Sequence, residues 1–350
     1  MKNLTLLVTF AMALLLHQKV VAKNYSGSSS CMPCHAEQYN LFVVSSHPYK
    51  LSKASDARKR QIPLPKGYNW NDISYVIGGV YKKARFLDKK GYIITSGKKG
   101  EELKTQYNLE DGTWSFYHKG EKKPYDCGRC HTTGYEKSGH QDKLEGIIGT
   151  WKFPGVQCEA CHGPGAKHSL TKRPEDIIVD KSSKACGACH YRGKLESIPS
   201  SKGFIRHHEQ YNSLLSGGHK KLSCTQCHNP HAKAKFGIKK SCQSCHETVA
   251  MDYKESTMEK AGVSCVECHM PKAVKSATNK GKYIGDIRAH IININTSKKE
   301  KMFYKDKTNK PFSKNFITLD FACLGCHQGR DMDWANKMTD KGIHKLGKPQ

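Results

Sequence analysis

Residues 156–165 read VQCEACHGPG, in which two cysteines stand three positions apart and a histidine directly follows the second. The same Cys-x-x-Cys-His pattern occurs seven further times along the 350 residues. The eight cysteine pairs are Cys31/Cys34, Cys127/Cys130, Cys158/Cys161, Cys186/Cys189, Cys224/Cys227, Cys242/Cys245, Cys265/Cys268 and Cys323/Cys326. These pairs account for all sixteen cysteines, so one explanation has to apply to all eight motifs.

Each of these motifs has the attachment signature of a c-type haem. The two thiols bond to the haem vinyl groups, which places the adjacent imidazole under the iron as its proximal ligand. The eight proximal ligands are then His35, His131, His162, His190, His228, His246, His269 and His327. Disulfides or zinc ribbons would not require a histidine at one fixed offset eight times, and a redox-active Cys-x-x-Cys explains one motif rather than eight. The sequence therefore predicts eight covalently attached haem c groups.

Residues 1–22 have the features of a secretory signal peptide. A basic start at Lys2 precedes an apolar stretch over residues 4–16, and Ala22 offers a small side chain at the expected cleavage position. The apolar stretch is too short for a membrane span, and a signal anchor is the alternative interpretation. We expect a mature chain without an integral membrane segment, located in the periplasm or outside the cell.

The formal net charge of the chain is +27. Removal of the signal peptide would leave about +25, and about sixteen haem propionates would lower the charge of the reduced holoprotein to about +9. The lysines are scattered in pairs, such as Lys82-Lys83 and Lys239-Lys240, and do not form one stripe. We therefore expect no nucleic-acid binding and a residual attraction to acidic partner proteins.

The mature chain would have about 328 residues, or about 41 for each haem, too few to enclose each haem in its own domain. The hydrophobic fraction of 37% agrees with an interior formed largely by cofactor. We predict a multihaem cytochrome c fold, in which short α-helices and irregular chain surround stacked haems. Residues 23–200 would form a tetrahaem region with haems 1–4, and residues 201–350 a second four-haem region with haems 5–8, continuous with the first.

Strand patterns are concentrated between residues 69 and 118, which we predict to form a small antiparallel sheet inserted in the first region. Residues 73–77 read as one strand, 81–87 and 92–95 as a hairpin around Asp88-Lys89-Lys90-Gly91, and 106–109 and 113–117 as another around Glu110-Asp111-Gly112. Short helices are predicted over 36–44, 209–215 and 248–260, whereas 272–282 and 295–310 read as polar loops.

The remaining histidines determine whether each iron is closed by a second protein ligand or open. Ten histidines remain once the eight proximal ones and His17 in the signal peptide are set aside. We predict the following eight as distal ligands: His47, His140, His168, His208, His219, His231, His290 and His344. His118 lies in the strand segment and is not predicted to be a ligand. Of the adjacent pair His207 and His208, we favour His208 as the ligand. Met270, Met302 and Met332 are alternative axial ligands.

Local context supports four of these histidines most strongly. His168 and His231 lie too close to their preceding proximal histidines to reach the other face of the same haem, so each should bind a neighbouring haem. His219 follows Gly217-Gly218, where the backbone can approach a flat ring closely. His47 precedes a proline, which gives an extended backbone at the ligand.

Four segments resemble bacterial multihaem cytochromes c, in the broad superfamily of the nitrifier tetrahaem cytochrome and the octahaem reductases. They are residues 46–51, 66–79, 125–135 and 149–165. The resemblance covers the first half of the chain well and is looser from Phe204 onward. It implies haems stacked in alternating parallel and perpendicular pairs, and a periplasmic or surface electron carrier.

Three functions remain open at this stage. The first is electron transfer along eight six-coordinate haems, in respiration or to the cell exterior, with other cytochromes or quinol-linked membrane complexes as redox partners. The second is an enzymatic function, a reductase with one open haem. The resemblance implies it, because octahaem relatives reduce nitrite, hydroxylamine or tetrathionate at one open or lysine-ligated haem. The third is a polymeric cytochrome wire in which His47 or His344 closes a haem of the next subunit.

Overall fold

The computed structural model describes residues 24–346, so the predicted signal peptide lies outside the described residues. The α-helices in this range are at most nine residues long, and none is long and apolar enough to cross a membrane. They are α1 (Ala36–Val43), α2 (Ala54–Ala57), α3 (Gly128–His131), α4 (Cys158–His162), α5 (Ala166–Thr171), α6 (Ser183–Gly187), α7 (Gln210–Ser216), α8 (Cys224–Cys227), α9 (Glu247–Tyr253), α10 (Thr257–Lys260), α11 (Cys265–His269) and α12 (Met332–Asp340). Four of these helices (α3, α4, α8 and α11) consist of motif residues, so much of the helical structure serves to present cysteines and histidines.

The first half of the described chain contains a seven-stranded antiparallel sheet. Its strands are β1 (Leu51–Lys53), β2 (Ile73–Gly78), β3 (Lys83–Asp88), β4 (Tyr92–Ile93), β5 (Gln106–Asn108), β6 (Thr113–Ser115) and β7 (Lys123–Pro124). Strands β1, β2, β3, β4 and β7 lie side by side in this order, and β5 pairs with both β3 and β6. The predicted antiparallel sheet is confirmed, and it also includes β1 and β7, outside the predicted limits of 69 and 118.

Both faces of this sheet are buried because apolar side chains alternate along its central strands. Tyr75 and Ile77 pack on one face against Tyr125 and Trp151. Ile73, Val76 and Phe86 pack on the other face in a buried cluster that also contains Ala57, Ile62, Ala84 and Ile94. The sheet is therefore a rigid support for the residues at its edges.

The predicted turn between β3 and β4 is present. The amide of Gly91 donates to the carbonyl of Asp88 at 3.0 Å, and the Asp88 side chain accepts from the amides of Lys90 and Tyr92. Gly91 has a φ of +87°, which a glycine adopts without steric cost. The hairpin is thus specified by local sequence.

A second sheet lies in the other half of the chain and was not predicted. Its strands are β10 (Ile198–Ser201), β11 (Phe204–Arg206), β12 (Val274–Lys275), β14 (Phe303–Lys305) and β15 (Pro311–Ser313), in the order β12-β11-β10-β15-β14. Two-residue pairs join β8 (Thr132–Thr133) to β9 (Phe153–Pro154) and β13 (Ile294–Asn295) to β16 (Ile317–Thr318). The segments 272–282 and 295–310 therefore contain short strands and are not entirely loops. The boundary predicted between residues 200 and 201 falls inside β10.

The predicted helices over 36–44 and 209–215 correspond to α1 and α7 within one residue at each end. The helix predicted over 248–260 is instead two helices, α9 and α10. Glu255 between them has a φ of +65°, a left-handed conformation that ends a right-handed helix. Single-turn 3-10 segments occupy Ser28–Cys31, Arg58–Arg60, Trp70–Asp72, Gln141–Lys143, Pro174–Asp176, Cys242–Ser244 and Ile343–Lys345, and a π-turn occupies Asp320–Leu324.

Candidate haem centres

One continuous cavity of about 4230 Å³ runs through the described part of the chain. Both cysteines and the histidine of all eight motifs line it. Divided among the eight motifs, this volume is about 530 Å³ each, within the roughly 300–1,000 Å³ of a pocket for a single small ligand or cofactor. The residues present therefore fit eight haem groups, and all sixteen cysteines carry free thiols available for attachment.

Six proximal histidines each lie opposite a second histidine. The pairs, with the distance between ring centroids, are His35–His168 (6.2 Å), His47–His190 (6.4 Å), His162–His231 (6.1 Å), His219–His246 (5.7 Å), His228–His290 (6.2 Å) and His269–His344 (6.1 Å). Two imidazoles that each bind one metal ion through nitrogen at about 2 Å have centroids about 6.3 Å apart. The pairs therefore have the spacing of bis-histidine iron coordination, with His47, His168, His219, His231, His290 and His344 on the distal side.

Each of these distal histidines approaches a haem motif other than the one that precedes it in the sequence, and His47, which follows motif 1, faces motif 4. His168 follows motif 3 but faces His35 of motif 1. His231 follows motif 5 but faces His162 of motif 3. The ligands thus tie motifs that are distant in the chain to one another.

Hydrogen bonds to backbone carbonyls orient several of the imidazoles. The Nδ1 atoms of His162, His168 and His269 lie 2.7, 2.9 and 3.1 Å from the carbonyl oxygens of Ile178, Arg173 and Ile292. A carbonyl oxygen only accepts, so each Nδ1 carries the proton and Nε2 is left with its lone pair for a metal. Burial lowers the pKa of His290 to about 4, which keeps this imidazole in the neutral form that a metal requires.

Attachment sulfurs of different motifs lie close together. The thiols of Cys31 and Cys158 interact directly, as do those of Cys130 and Cys189, of Cys186 and Cys224, and of Cys242 and Cys265. Longer-range Coulombic interactions connect Cys161 with Cys186, Cys227 with Cys242, and Cys268 with Cys323. The motifs therefore form a series in the order 1-3-4-5-6-7-8, and motif 2 joins this series at motif 4.

His131 of motif 2 faces no second imidazole among residues 24–346, and a cationic cluster surrounds it instead. The cluster consists of Lys50, Lys83, Arg85 and Arg192, and each of these cations interacts electrostatically with His131. Burial and, to a smaller extent, the nearby cations lower the pKa of His131 to about 3. Burial also lowers the pKa of Lys83 to about 7, because desolvation and the neighbouring Arg85 outweigh the attraction of Asp286.

Strands of the first sheet position the cationic cluster. Lys83 and Arg85 alternate with the buried Ala84 and Phe86 on β3, so both cations project to the same side. The Lys83 ammonium donates to the carbonyl of Ser276 at 2.8 Å, and Arg85 Nε donates to Gln106 Oε1 at 2.8 Å. The Arg85 guanidinium lies 3.4 Å above the Tyr117 ring. These contacts hold an array of positive charge beside motif 2, which the sequence analysis did not identify.

His327 of motif 8 also lacks an opposing imidazole within the described range. The ring nearest to it is that of Trp334, at 4.7 Å between centroids and 50° between planes. Met302 is only 2% exposed and is packed in the core of the second sheet, and Met332 packs in the cluster of Leu319, Leu324 and Ala335. Met270 adjoins His269, which already has His344 opposite.

Two of the eight predicted distal ligands are not brought to a proximal imidazole in residues 24–346. His140 is exposed, and its Nδ1 donates to the carbonyl of Ile147 at 2.6 Å. His208 stacks on His207 at 4.6 Å, with its Nδ1 2.8 Å from Glu209 Oε1. His207, the neighbour that was set aside, lies beside Lys83 and Arg85 of the cationic cluster. His118 pairs with Glu121 and packs on Tyr117, and it lines the same cavity as the motif histidines.

Two residues that were not predicted to be functional hold the ligand-bearing segments in place. Glu159 of motif 3 is 3% exposed, and its carboxylate accepts from the amides of Ser26, Gly27 and Gly165 at 2.8, 2.8 and 2.7 Å. It therefore fastens the segment before motif 1 to motif 3. Gly217 approaches the backbone next to His290, since a Cβ on it would lie 2.0 Å from the carbonyl oxygen of Ile291. The close backbone approach predicted at the Gly217-Gly218 pair is therefore present, and the chain approaches the backbone of Ile291 there.

Comparison with known proteins agrees with this geometry. The model of the family described as cytochrome c554 and c-prime matches residues 93–163, and that of cytochrome c3 matches residues 150–247. The chain is a multihaem c-type cytochrome. Haem c bound at these motifs would supply a reversible one-electron Fe(III)/Fe(II) couple, and two imidazole ligands would hold it at low potential.

This cytochrome is similar to the multiheme cytochrome MtrA of Shewanella baltica (strain OS185), with 25% identity over 163 residues, which make up 41% of this chain and 45% of that one. The chain thus spans less than half the length of the relative it matches. The outer cell wall cytochrome OcwA has a similar fold, with a TM-score of 0.61, 21% identity, and coverage of 91% of this chain and 86% of that one.

Two further solved structures have the same fold. The octaheme sulfite reductase MccA of Wolinella succinogenes superposes with a TM-score of 0.64 at 18% identity over 87% of this cytochrome and 65% of that chain. The undecaheme cytochrome from the S-layer of Carboxydothermus ferrireducens superposes with a TM-score of 0.55 at 18% identity over 91% and 60%. These comparisons support the predicted fold of short helices and small sheets around a multihaem interior.

Proposed function

We propose that this cytochrome carries eight covalent haem c groups and conducts electrons along the series 1-3-4-5-6-7-8 outside the cytoplasmic membrane. The observation that carries the proposal is the set of six histidine pairs at 5.7–6.4 Å, each at a Cys-x-x-Cys-His motif. A six-coordinate iron changes its oxidation state without exchanging ligands, so it accepts and passes electrons with little rearrangement. Adjacent attachment sulfurs keep neighbouring haems within one unbroken array.

The partners of such a conduit are other redox proteins, either cytochromes or quinol-linked membrane complexes. Lysines outnumber acidic residues in the chain, and propionates would compensate only part of the +27 charge. A positive surface steers acidic partners to the protein and makes the association rate depend on ionic strength. We therefore propose encounter with acidic redox proteins at the ends of the series.

Haem stoichiometry tests this proposal. The chain would be secreted from a bacterial host that has haem-attachment machinery, and the intact mass and the pyridine haemochrome absorbance would be measured. We expect the mass increment and iron content of eight haems, and seven in a Cys265→Ala/Cys268→Ala variant. A colourless product, or one that contains zinc or disulfide bonds at these cysteines, would overturn the proposal.

A second function, reduction of a small oxyanion at haem 2, is favoured by one specific observation. His131 has no opposing imidazole among the described residues, while Lys50, Lys83, Arg85 and Arg192 surround it. An iron with one protein ligand has a free coordination position, and cations beside it would bind an anionic substrate and stabilise charge that develops on it. Nitrite or sulfite are anions of suitable size and charge.

Anion binding separates this reductase from a simple conduit. Nitrite or sulfite added to the ferric holoprotein should shift the high-spin haem absorbance, and Arg85→Gln should weaken the apparent affinity about tenfold or more, because it removes a charge-assisted contact. Lys82→Gln is the matched control, since Lys82 adjoins the cluster but pairs with Glu110 at 2.9 Å. Equal affinities in both variants and the parent protein would exclude the cluster as the anion site.

A further inference from the structure

The carboxylate of Asp286 fastens the loop at residues 276–278, in the second half of the chain. Its two oxygens accept from the amides of Ser276 at 2.6 Å, Ala277 at 2.8 Å and Thr278 at 3.4 Å. The side chain of Asp286 is only 1% exposed, so these contacts are shielded from water. Loss of any of them would leave a buried charge less well satisfied, which is costly. The loop is therefore held in one conformation.

The backbone of Asp286 is itself fixed to the second sheet. Its amide donates to the carbonyl of Val274 on strand β12 at 3.1 Å. Gly285 comes so close to the same carbonyl that a Cβ on it would lie 2.2 Å from the oxygen. Val274 is buried in the core of that sheet. The carboxylate therefore reaches the loop from a rigid support.

The loop in turn holds the end of Lys83, a member of the cationic cluster. The Lys83 ammonium donates to the carbonyl of Ser276 at 2.8 Å, across 193 positions of sequence. Lys83, Ser276 and Ala277 all line the cavity of the haem motifs. Lys83 also acts electrostatically on His131 of motif 2. The position of this positive charge beside haem 2 thus depends on where the loop places one carbonyl oxygen.

Asp286 acts on Lys83 through its charge as well. Burial lowers the pKa of Lys83 to about 7, whereas the carboxylate of Asp286 raises it. The other cations of the cluster lower this pKa too, namely Arg85, Lys50 and Arg192. His207 also adjoins Lys83, and burial lowers the pKa of its ring, so it adds no charge near neutral pH. Asp286 is therefore the group that favours the protonated, positively charged form of Lys83.

We propose that Asp286 is a positioning residue for the anion site at haem 2. Its carboxylate fixes the loop, the loop fixes the Lys83 ammonium, and the ammonium contributes to anion binding. All four cations of the cluster lie between residues 50 and 192, whereas Asp286 and its loop lie beyond residue 270. The two sheets therefore build this site together. The inference rests on the proposed binding of an anion at haem 2.

The neighbouring Lys82 meets the same segment in a different way. Its ammonium donates to the backbone carbonyl of Asp286 at 2.7 Å and pairs with Glu110 at 2.9 Å. The charge of Lys82 is therefore compensated, and the carboxylate of Asp286 fastens the loop without it. Lys82→Gln thus remains a control for this inference as well.

A double-mutant cycle on the haem-loaded protein tests whether Asp286 acts through Lys83. Nitrite is titrated near neutral pH against the high-spin haem absorbance of the parent protein, Asp286→Asn, Lys83→Gln and the double variant. Each single substitution should weaken the apparent affinity about tenfold, because it removes one charge-assisted contact. The double variant should match Lys83→Gln, since the two residues act through one ammonium group.

Asp306→Asn is the matched control for Asp286→Asn. The Asp306 carboxylate also accepts from loop amides, those of Thr308 at 2.8 Å and Lys310 at 2.9 Å. This loop joins β14 to β15 and does not line the cavity in the described part of the chain. Asp306→Asn should therefore bind nitrite as the parent protein does.

The pH dependence is a readout that a mere loss of fold stability would not move. In the parent protein the nitrite affinity should fall as the pH rises through about 7, where Lys83 loses its proton. In Asp286→Asn this fall should come at lower pH, because no carboxylate favours the protonated amine. In Lys83→Gln this step should be absent.

Lysine acetylation, mapped by mass spectrometry, tests the positioning without an anion. Lys83 should react slowly in the parent protein and in Asp306→Asn, and several times faster in Asp286→Asn, where its amine leaves the Ser276 carbonyl and is less protonated. Equal rates at Lys83 in the parent protein and Asp286→Asn would overturn the inference, as would a further loss of nitrite affinity in the double variant. A parent protein whose high-spin absorbance does not respond to nitrite would instead overturn the proposed anion site, and the acetylation rates would still decide whether Asp286 holds Lys83.

Discussion

The imidazole rings of His162 and His231 are 6.1 Å apart and only 9° from parallel, although the two residues belong to segments on either side of two further haem motifs. Other pairs have nearly perpendicular rings, namely His47–His190 at 86° and His219–His246 at 76°. The angle between two axial imidazoles determines how far the iron orbitals that overlap with them are split. We therefore expect two electronic classes of bis-histidine haem in the loaded protein.

Low-temperature EPR of the oxidised protein should show both classes. Haems 3 and 7, with parallel rings, should give rhombic low-spin signals, because aligned imidazoles split the iron orbitals strongly. Haems 4 and 6, with perpendicular rings, should give strongly anisotropic signals. A His219→Ala variant should remove one signal of the anisotropic class and add one high-spin signal, while the rhombic class stays unchanged. Loss of a rhombic signal in that variant would contradict the assigned geometry.

Replacement of His231 by methionine should raise the reduction potential of haem 3. A thioether donates less electron density to iron than an imidazole, and axial ligands adjust haem potentials over about 0.8 V. We expect an increase on the order of 0.1 V for one haem in eight, measured by spectroelectrochemical titration, with an uphill step introduced between haems 1 and 4. Lys254→Met, at an exposed position that does not line the cavity, serves as the control and should leave the titration unchanged.

Glu159→Gln should destabilise the protein by about 1.5–3 kcal/mol, because it weakens charge-assisted hydrogen bonds from three buried or partly buried amides. The melting temperature, followed by circular dichroism, should fall by several degrees. Glu175→Gln removes a carboxylate that is 65% exposed and pairs with Arg173 at 3.5 Å. That control should cost less than about 1 kcal/mol. Equal effects of the two substitutions would mean that the contacts of Glu159 do not hold motif 3 in place.

Adjacent glycines offer a sharp test of the packing near haem 5. In Gly217→Ala the new methyl group would lie 2.0 Å from the carbonyl oxygen of Ile291, which has to move and displace the neighbouring His290. We expect a loss of stability of about 2 kcal/mol and one additional high-spin haem. Gly218→Ala meets nothing within 4 Å and should retain the parent spectrum and melting temperature. Additional high-spin signal in Gly218→Ala alone would contradict the structure here.

A chain secreted without haem attachment should not reach this fold. The cavity of about 4230 Å³ cannot stay empty, because its apolar lining would be exposed to water and protein interiors tolerate few large voids. We expect rapid proteolysis and no cooperative thermal transition for a variant in which all sixteen cysteines are serine. A cooperative transition in that variant would show that the sheets fold independently of the cofactor.

The parts of the site that were predictable are those determined by short-range sequence. The motifs identify the attachment cysteines and the proximal histidines. The short distance in sequence from His168 and His231 to the preceding motif predicts that each binds the haem of another motif. The surroundings of His140 and His208 depend on long-range packing, and the structure brings neither of these two predicted ligands opposite a proximal imidazole in residues 24–346. The cationic cluster was not recognised because Lys50, Lys83 and Arg192 come from three separate segments.

The same distinction applies to the fold. The turn at Asp88–Gly91 and the alternation along 73–77 are local signals, and the first sheet was predicted from them. In the second sheet, Ile205 pairs with Val274 in parallel strands, and Ile198 pairs with Ser313 in antiparallel strands. These strands are short and their partners are distant in sequence, so no local pattern predicts them. The break at Glu255 arises from the left-handed backbone there, which the apolar pattern of 248–260 does not reveal.

On the proposed route of export, the placement of the second imidazoles has a consequence for how the protein matures. Haems 1, 3, 5 and 7 would receive their partners His168, His231, His290 and His344 from polypeptide that crosses the membrane later, whereas His47 and His219 would already be present when haems 4 and 6 are attached. Each of haems 1, 3, 5 and 7 would therefore stay incomplete until the following segment arrives. A chain cut short before residue 344 would leave haem 7 with a single protein ligand.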